Sequence, residues 1–109
     1  MDRIYNKLVR DRIPEIIQNK GETPIIRELD NLEYKLALET KLREECEEVI
    51  GAEGQDRIEE IADALEVLKA LAKLENTTLE DVIKVADAKS AKRGAFNKKI
   101  FLERVVPKD

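Results

Sequence analysis

Between Asp30 and Asn76 the chain carries two long stretches of helical spacing, interrupted only by Gly51 and Gly54. In the first, Leu38, Leu42, Cys46, Val49 and Ile50 form one apolar arc; in the second, Ala64, Val67, Ala70, Leu71 and Leu74 continue rows headed by Glu60 and Asp63. Residues three and four apart share a helix face, and two helices joined by a short loop lie antiparallel. A helical hairpin is therefore the centre of whatever this chain folds into. Asp30 with Glu33 resembles a capping box, so a helix opens there and runs to about Ala52. Asp56 with Glu59 repeats the signal and predicts a third helix over 57–75, closed by Asn76. Thr78 with Asp81 opens a fourth, ending at Arg93 with Gly94 as its left-handed stop. Before the hairpin, Asp11 is the expected cap of a short first helix with Pro14 in its first turn, ended by Gly21.

The expected fold is an all-α antiparallel bundle of about four helices forming one domain over residues 1–109. Residues 24–29 are short and rich in β-branched side chains, and 98–106 alternate weakly; these two segments are candidates for one short extended pair. Four aromatics, Tyr5, Tyr34, Phe96 and Phe101, leave an aliphatic core, and 40% charged residues keep it thin.

Composition also removes functions. There is no histidine, so Ser-His and Cys-His nucleophile pairs and imidazole acid–base chemistry are absent. One cysteine, Cys46, makes no internal disulfide and reads as a buried thiol on the apolar arc of an intracellular, cytoplasmic protein. No apolar run approaches the ~18 residues of a membrane helix, and the start lacks the apolar stretch of a signal peptide. With 24 acidic against 20 basic residues the formal charge is −4, unlike a general nucleic-acid binder. Any catalysis falls to carboxylates, Lys, Arg and a hard metal ion.

The carboxylates are placed for that. The second predicted helix holds Glu44-Glu45-Cys46-Glu47-Glu48 and the third Glu59-Glu60-Ile61-Ala62-Asp63. Glu45 with Glu48, and Glu60 with Asp63, are each three apart and could converge across the hairpin. Acidic steps of this kind commonly decorate solvated faces, and acids near the start of the third helix are ordinary. Four carboxylates in five residues near a helix C-terminus are not, because the macrodipole and their mutual repulsion both oppose them. Glu45 borders the apolar arc, and Glu60 and Asp63 head otherwise apolar rows. Carboxylates turned toward a core are costly unless paired or metal-bound. The rows offer no matching cation, while Arg43 can partner Glu39 or Glu47. Oxygen-only ligands suit Mg²⁺ or Mn²⁺.

These residues resemble the EExxE and ExxD pattern of the MazG-like all-α nucleoside triphosphate pyrophosphohydrolases, a superfamily that includes phosphoribosyl-ATP pyrophosphohydrolase. The flanks Tyr5-Asn6-Lys7-Leu8-Val9-Arg10-Asp11-Arg12-Ile13-Pro14 and Lys92-Arg93-Gly94-Ala95-Phe96 look like its small stand-alone house-cleaning subgroup, and the likeness covers nearly the whole chain. The resemblance implies Mg²⁺-dependent hydrolysis of a nucleoside triphosphate to the monophosphate and pyrophosphate, with Mn²⁺ as a substitute metal. It implies Glu45, Glu48, Glu60 and Asp63 as metal ligands, with Glu44, Glu45 and Glu48 forming the catalytic acidic run. Glu44 is open between a further ligand, a group supporting the ligands and the general base.

Lys7 and Arg10 precede the first helix, where folding has no need of their charge; they are candidates to grip phosphate oxygens. Asn6 is a candidate for a base edge or sugar. Lys89 and Arg93 are further candidates, although cations stabilise helix C-termini without any ligand. Tyr5 and Phe96 either stack on a base or pack. Val67, Ala70 and Leu74 widen the third helix's apolar face beyond one stripe, and with the family likeness this predicts a homodimer or a dimer of dimers. Two other readings stand beside the first: phosphoribosyl-ATP hydrolysis, and a non-catalytic bundle that binds a nucleotide or a partner. The segment from Lys98 onward either completes a neighbour's site or covers the bundle.

Overall fold

The computed structural model describes residues 1–108. The chain is all-α, with helices α1 (Ile13–Asn19), α2 (Asn31–Gly51), α3 (Gly54–Leu74) and α4 (Leu79–Arg93) in that order. No strand occurs among the described residues. The expected extended pair is therefore corrected: 24–29 and 98–106 are unpaired chain without ladder hydrogen bonds. Ile25 and Ile26 are exposed, as are Ile100 and Phe101, so neither segment has the buried face that fixes a strand's register.

The four helix starts show where local chemistry decides a boundary and where it does not. Asp30 caps α2 as expected, its carboxylate accepting from the Glu33 N–H at 2.8 Å. Thr78 likewise caps α4, accepting from the Asp81 N–H at 3.2 Å. At α1 the cap is Arg12 rather than Asp11, with no side-chain bond, and Pro14 sits in the first turn. A third correction concerns α3, which begins at Gly54 without a side-chain cap from Asp56. Gly54, at φ +59°, takes the left-handed conformation that glycine adopts most cheaply, and this lets α3 start after a connection of only Ala52 and Glu53.

Arg57 fastens the same turn. Its Nε donates to the carbonyl oxygens of Val49 (3.1 Å) and Ala52 (2.7 Å), so α3 supplies the cation that the C-terminus of α2 lacks in its own last turn. The Val49 carbonyl also accepts from the Ala52 N–H at 3.5 Å; a guanidinium at these last carbonyls complements the helix dipole beside the acidic run.

α2 packs along α3, and α3 also meets α4; among the described residues no other pair of helices packs together. The buried residues are few: Leu38, Val67 and Ala72, plus one charged residue, Glu45. Cys46 is exposed rather than buried, and Ile50 is exposed too. The seam of α2 is turned about one residue from the expected arc, so that Leu38 and Glu45 lie at its centre. The rotation places a carboxylate where an aliphatic side chain would ordinarily sit.

Candidate metal centre

The two-residue connection sets the register of the hairpin. Glu45 lies seven residues before Ala52 and Glu60 seven after Glu53, so the two face each other across the seam. Asp63, one turn along α3 from Glu60, joins them: Glu45, Glu60 and Asp63 each offer a carboxylate oxygen within 4.8 Å of the others. Glu45 is 8% exposed, and Glu60 and Asp63 are half-buried. Two oxygens, Glu45 Oε2 and Glu60 Oε2, are buried with no hydrogen-bond partner.

The electrostatics follow from that crowding. Burial pushes the Glu45 carboxyl above its ordinary value, and repulsion from Glu48 and Asp63 adds to it, while Lys41 opposes the rise. Glu60 is also raised, first by a hydrogen bond shared with Glu48, which requires a proton, then by burial and by the charges of Glu48, Asp63 and Glu45. Glu48 thus adjoins both residues while remaining exposed. It also lines an open hollow of about 650 Å³ at the hairpin's end, with Glu53, Asp56, Glu59 and Glu60 among its other walls. Glu44 is half-buried on α2.

Two cations reach the cluster. Arg10 donates to Asp63 Oδ1 at 2.8 Å, bringing the N-terminal segment over the acids. Lys41 Nζ lies 4.0 Å from Glu45 Oε1, one turn earlier on α2. Lys41 corrects the expectation of no matching cation; its position four residues before Glu45 carried the signal. Asn6, Lys7, Lys89 and Arg93 make no hydrogen bond or ion pair with the cluster among the described residues. Asn6 adopts a left-handed backbone, φ +46°, and all of α4 from Asp81 to Arg93 is exposed. Tyr5 is exposed and accepts from Arg3 Nε at 3.2 Å, and Arg3 also pairs with Glu22.

Unpaired carboxylate oxygens removed from water carry a penalty of several kcal/mol, and two cations at the rim of the cluster leave Glu45 Oε2 and Glu60 Oε2 unmatched. A hard cation of about 2 Å oxygen coordination satisfies such a donor set, and Mg²⁺ typically binds through few carboxylates with water completing its octahedron. The residues present fit the group.

Comparison with known proteins shows limited similarity. A protein from Mycolicibacterium smegmatis, described only as an uncharacterized protein, is 52% identical over 50 residues, covering 46% of this chain and 51% of the relative. The chain thus matches about half the length of that relative. No family model matches, and no solved structure matches. Among the described residues, no helix is long and apolar enough to cross a membrane.

Proposed function

We propose that this chain is a Mg²⁺-dependent nucleoside triphosphate pyrophosphohydrolase, releasing the nucleoside monophosphate and pyrophosphate in nucleotide-pool house-cleaning. The observation that carries the reading is the pair of buried, partnerless oxygens, Glu45 Oε2 and Glu60 Oε2, turned into a three-carboxylate cluster. The resemblance of the EExxE and ExxD runs supplies the substrate class.

Glu45, Glu60 and Asp63 would hold the cation, with Glu48 as the fourth carboxylate beside them. Mg²⁺ there would neutralise the polyphosphate and lower the pKa of a bound water, so that a neighbouring carboxylate can take its proton. Glu48, open to solvent and adjoining Glu45 and Glu60, is the carboxylate best placed to accept that proton; Glu44, immediately before Glu45, would support the ligands. Arg10 would exchange Asp63 for a phosphate oxygen, a partner that guanidinium binds bidentately. Asn6 and Lys7, four and three residues before Arg10, travel with the same segment and extend its reach to the sugar and phosphates. The functional unit in this reading is a homodimer or dimer of dimers, and Mn²⁺ replaces Mg²⁺.

The test is turnover and Mg²⁺ binding in Glu45→Ala and Asp63→Ala, each with its circular dichroism. Loss of both activities with retained helicity supports the assignment. Unchanged turnover in both variants overturns it.

A further inference from the structure

Residues 1–22 are tied to the rest of the chain by very little. Among the described residues α1 packs against no other helix, and no backbone N–H or carbonyl of residues 1–9 makes a hydrogen bond. Within residues 1–12 every side chain but Leu8 is exposed. Arg3 closes this part of the chain on itself, its Nη2 meeting Glu22 just beyond α1 at 2.8 Å. Arg10 then fastens the closed loop to the hairpin. Its 2.8 Å contact with Asp63 Oδ1 is the one side-chain hydrogen bond or ion pair between residues 1–22 and α3 among the described residues. The Arg10 carbonyl accepts from the Ile13 N–H at 3.0 Å, so a movement of Arg10 carries the start of α1 with it. Between the two ties Asn6 stands at φ +46°, a conformation that costs a non-glycine residue energy and persists where contacts on both sides hold it.

The tie between Arg10 and Asp63 answers only part of what the acids require. The guanidinium bonds one carboxylate of the three, and Glu45 Oε2 and Glu60 Oε2 stay buried without a partner. The side chains of Arg10 and Asp63 are 57% and 47% exposed, a degree at which an ion pair contributes little. A divalent cation competes for the same Asp63 oxygen with more charge, at a point where all three carboxylates offer an oxygen within 4.8 Å of one another. A guanidinium beside such an ion is repelled by it, until an anion stands between them.

We propose that residues 3–22 form a latch that a divalent cation opens. In the metal-free chain Arg10 holds Asp63 and keeps the segment over the acids. Arg10 gives Asp63 up to Mg²⁺, swings free with the start of α1, and returns when a polyphosphate supplies the oxygens that a guanidinium binds bidentately. The latch imposes an order of binding. Until the metal has entered, Arg10 is engaged and the acids repel an anion; afterwards the arginine is free for phosphate. The latch rests on the metal-centre reading and adds the regulation of that site.

An arginine-specific protease reads the latch directly, because the Arg10 guanidinium must leave Asp63 to enter the protease's own pocket. Cleavage after Arg10 is followed by mass spectrometry in the full chain, without nucleotide, and Mg²⁺ binding is measured separately by calorimetry. Saturating Mg²⁺ should speed the cleavage severalfold, since its rate tracks the population of the open form. Inorganic pyrophosphate added to the Mg²⁺-loaded chain should slow it again. Asp63→Asn should be cut at the fast rate with or without Mg²⁺. Mg²⁺ that binds and leaves the wild-type rate unchanged overturns the latch alone, Asp63 then serving metal and Arg10 through its two oxygens. Cleavage of Asp63→Asn as slow as that of the metal-free wild type also overturns it, and cleavage that stays fast with pyrophosphate overturns the return of Arg10. Absence of Mg²⁺ binding overturns the latch and the metal centre together.

Discussion

Glu45 is a carboxylate in a position built for an aliphatic side chain, and the consequences of that can be measured residue by residue. Its burial and the charges of Glu48 and Asp63 raise its pKa, as Glu48 raises that of Glu60. A carboxyl whose pKa is higher folded than unfolded holds more protons in the native state. Its stabilising effect is complete below the ordinary value of 4.5 and is lost as pH rises through the raised folded value. Metal-free protein should therefore lose thermal stability as pH increases upward from about 4.5, and Glu45→Gln should flatten that slope; a stability rising over the same range would contradict it. The same variant removes an unmatched buried charge, so metal-free stability should increase by on the order of 1 kcal/mol, roughly 4 °C in melting temperature, while turnover is abolished. Arg10 makes the complementary case. It bonds Asp63 where a cation would compete with it, so Arg10→Ala should tighten Mg²⁺ binding severalfold by calorimetry and reduce turnover at least tenfold.

The elements owe their positions to a few local devices, of which the turn between α2 and α3 matters most to the site. Gly54 at φ +59° keeps the connection to two residues and so sets Glu45 against Glu60. Nothing crowds a Cβ at Gly54, so Gly54→Ala acts through backbone strain, at about 1 kcal/mol by denaturant unfolding. The same strain can shift the register, so weaker Mg²⁺ binding should accompany the lost stability. Much of this was legible beforehand. Asp30, Thr78 and Gly94 announced their helix ends because each offers a cap chemistry that does not depend on anything distant. The acidic pairs announced themselves because helix periodicity carries a side chain's direction. What failed was whatever depended on long-range partners. Asp56 resembled a cap, but Arg57 and the glycine turn decided where α3 begins. Cys46 and Ile50 read as core, yet the seam turned toward Glu45, since the packing of α2 against α3 selects the face and periodicity leaves it uncertain by one residue.

At the scale of the whole molecule, the hairpin alone is too thin to account for the chain. Leu38, Val67 and Ala72 are its buried apolar residues, whereas α4 and the segment beyond it stand in water. The catalytic account rests on the cluster itself, and product analysis is its most direct test. The protein is incubated with standard, deoxy and modified nucleoside triphosphates and with phosphoribosyl-ATP, with and without Mg²⁺, and the products are resolved by ³¹P NMR. Nucleoside monophosphate and pyrophosphate, formed only with the metal, are the predicted result. Orthophosphate and diphosphate, or no turnover of any compound by protein that binds Mg²⁺, would contradict it.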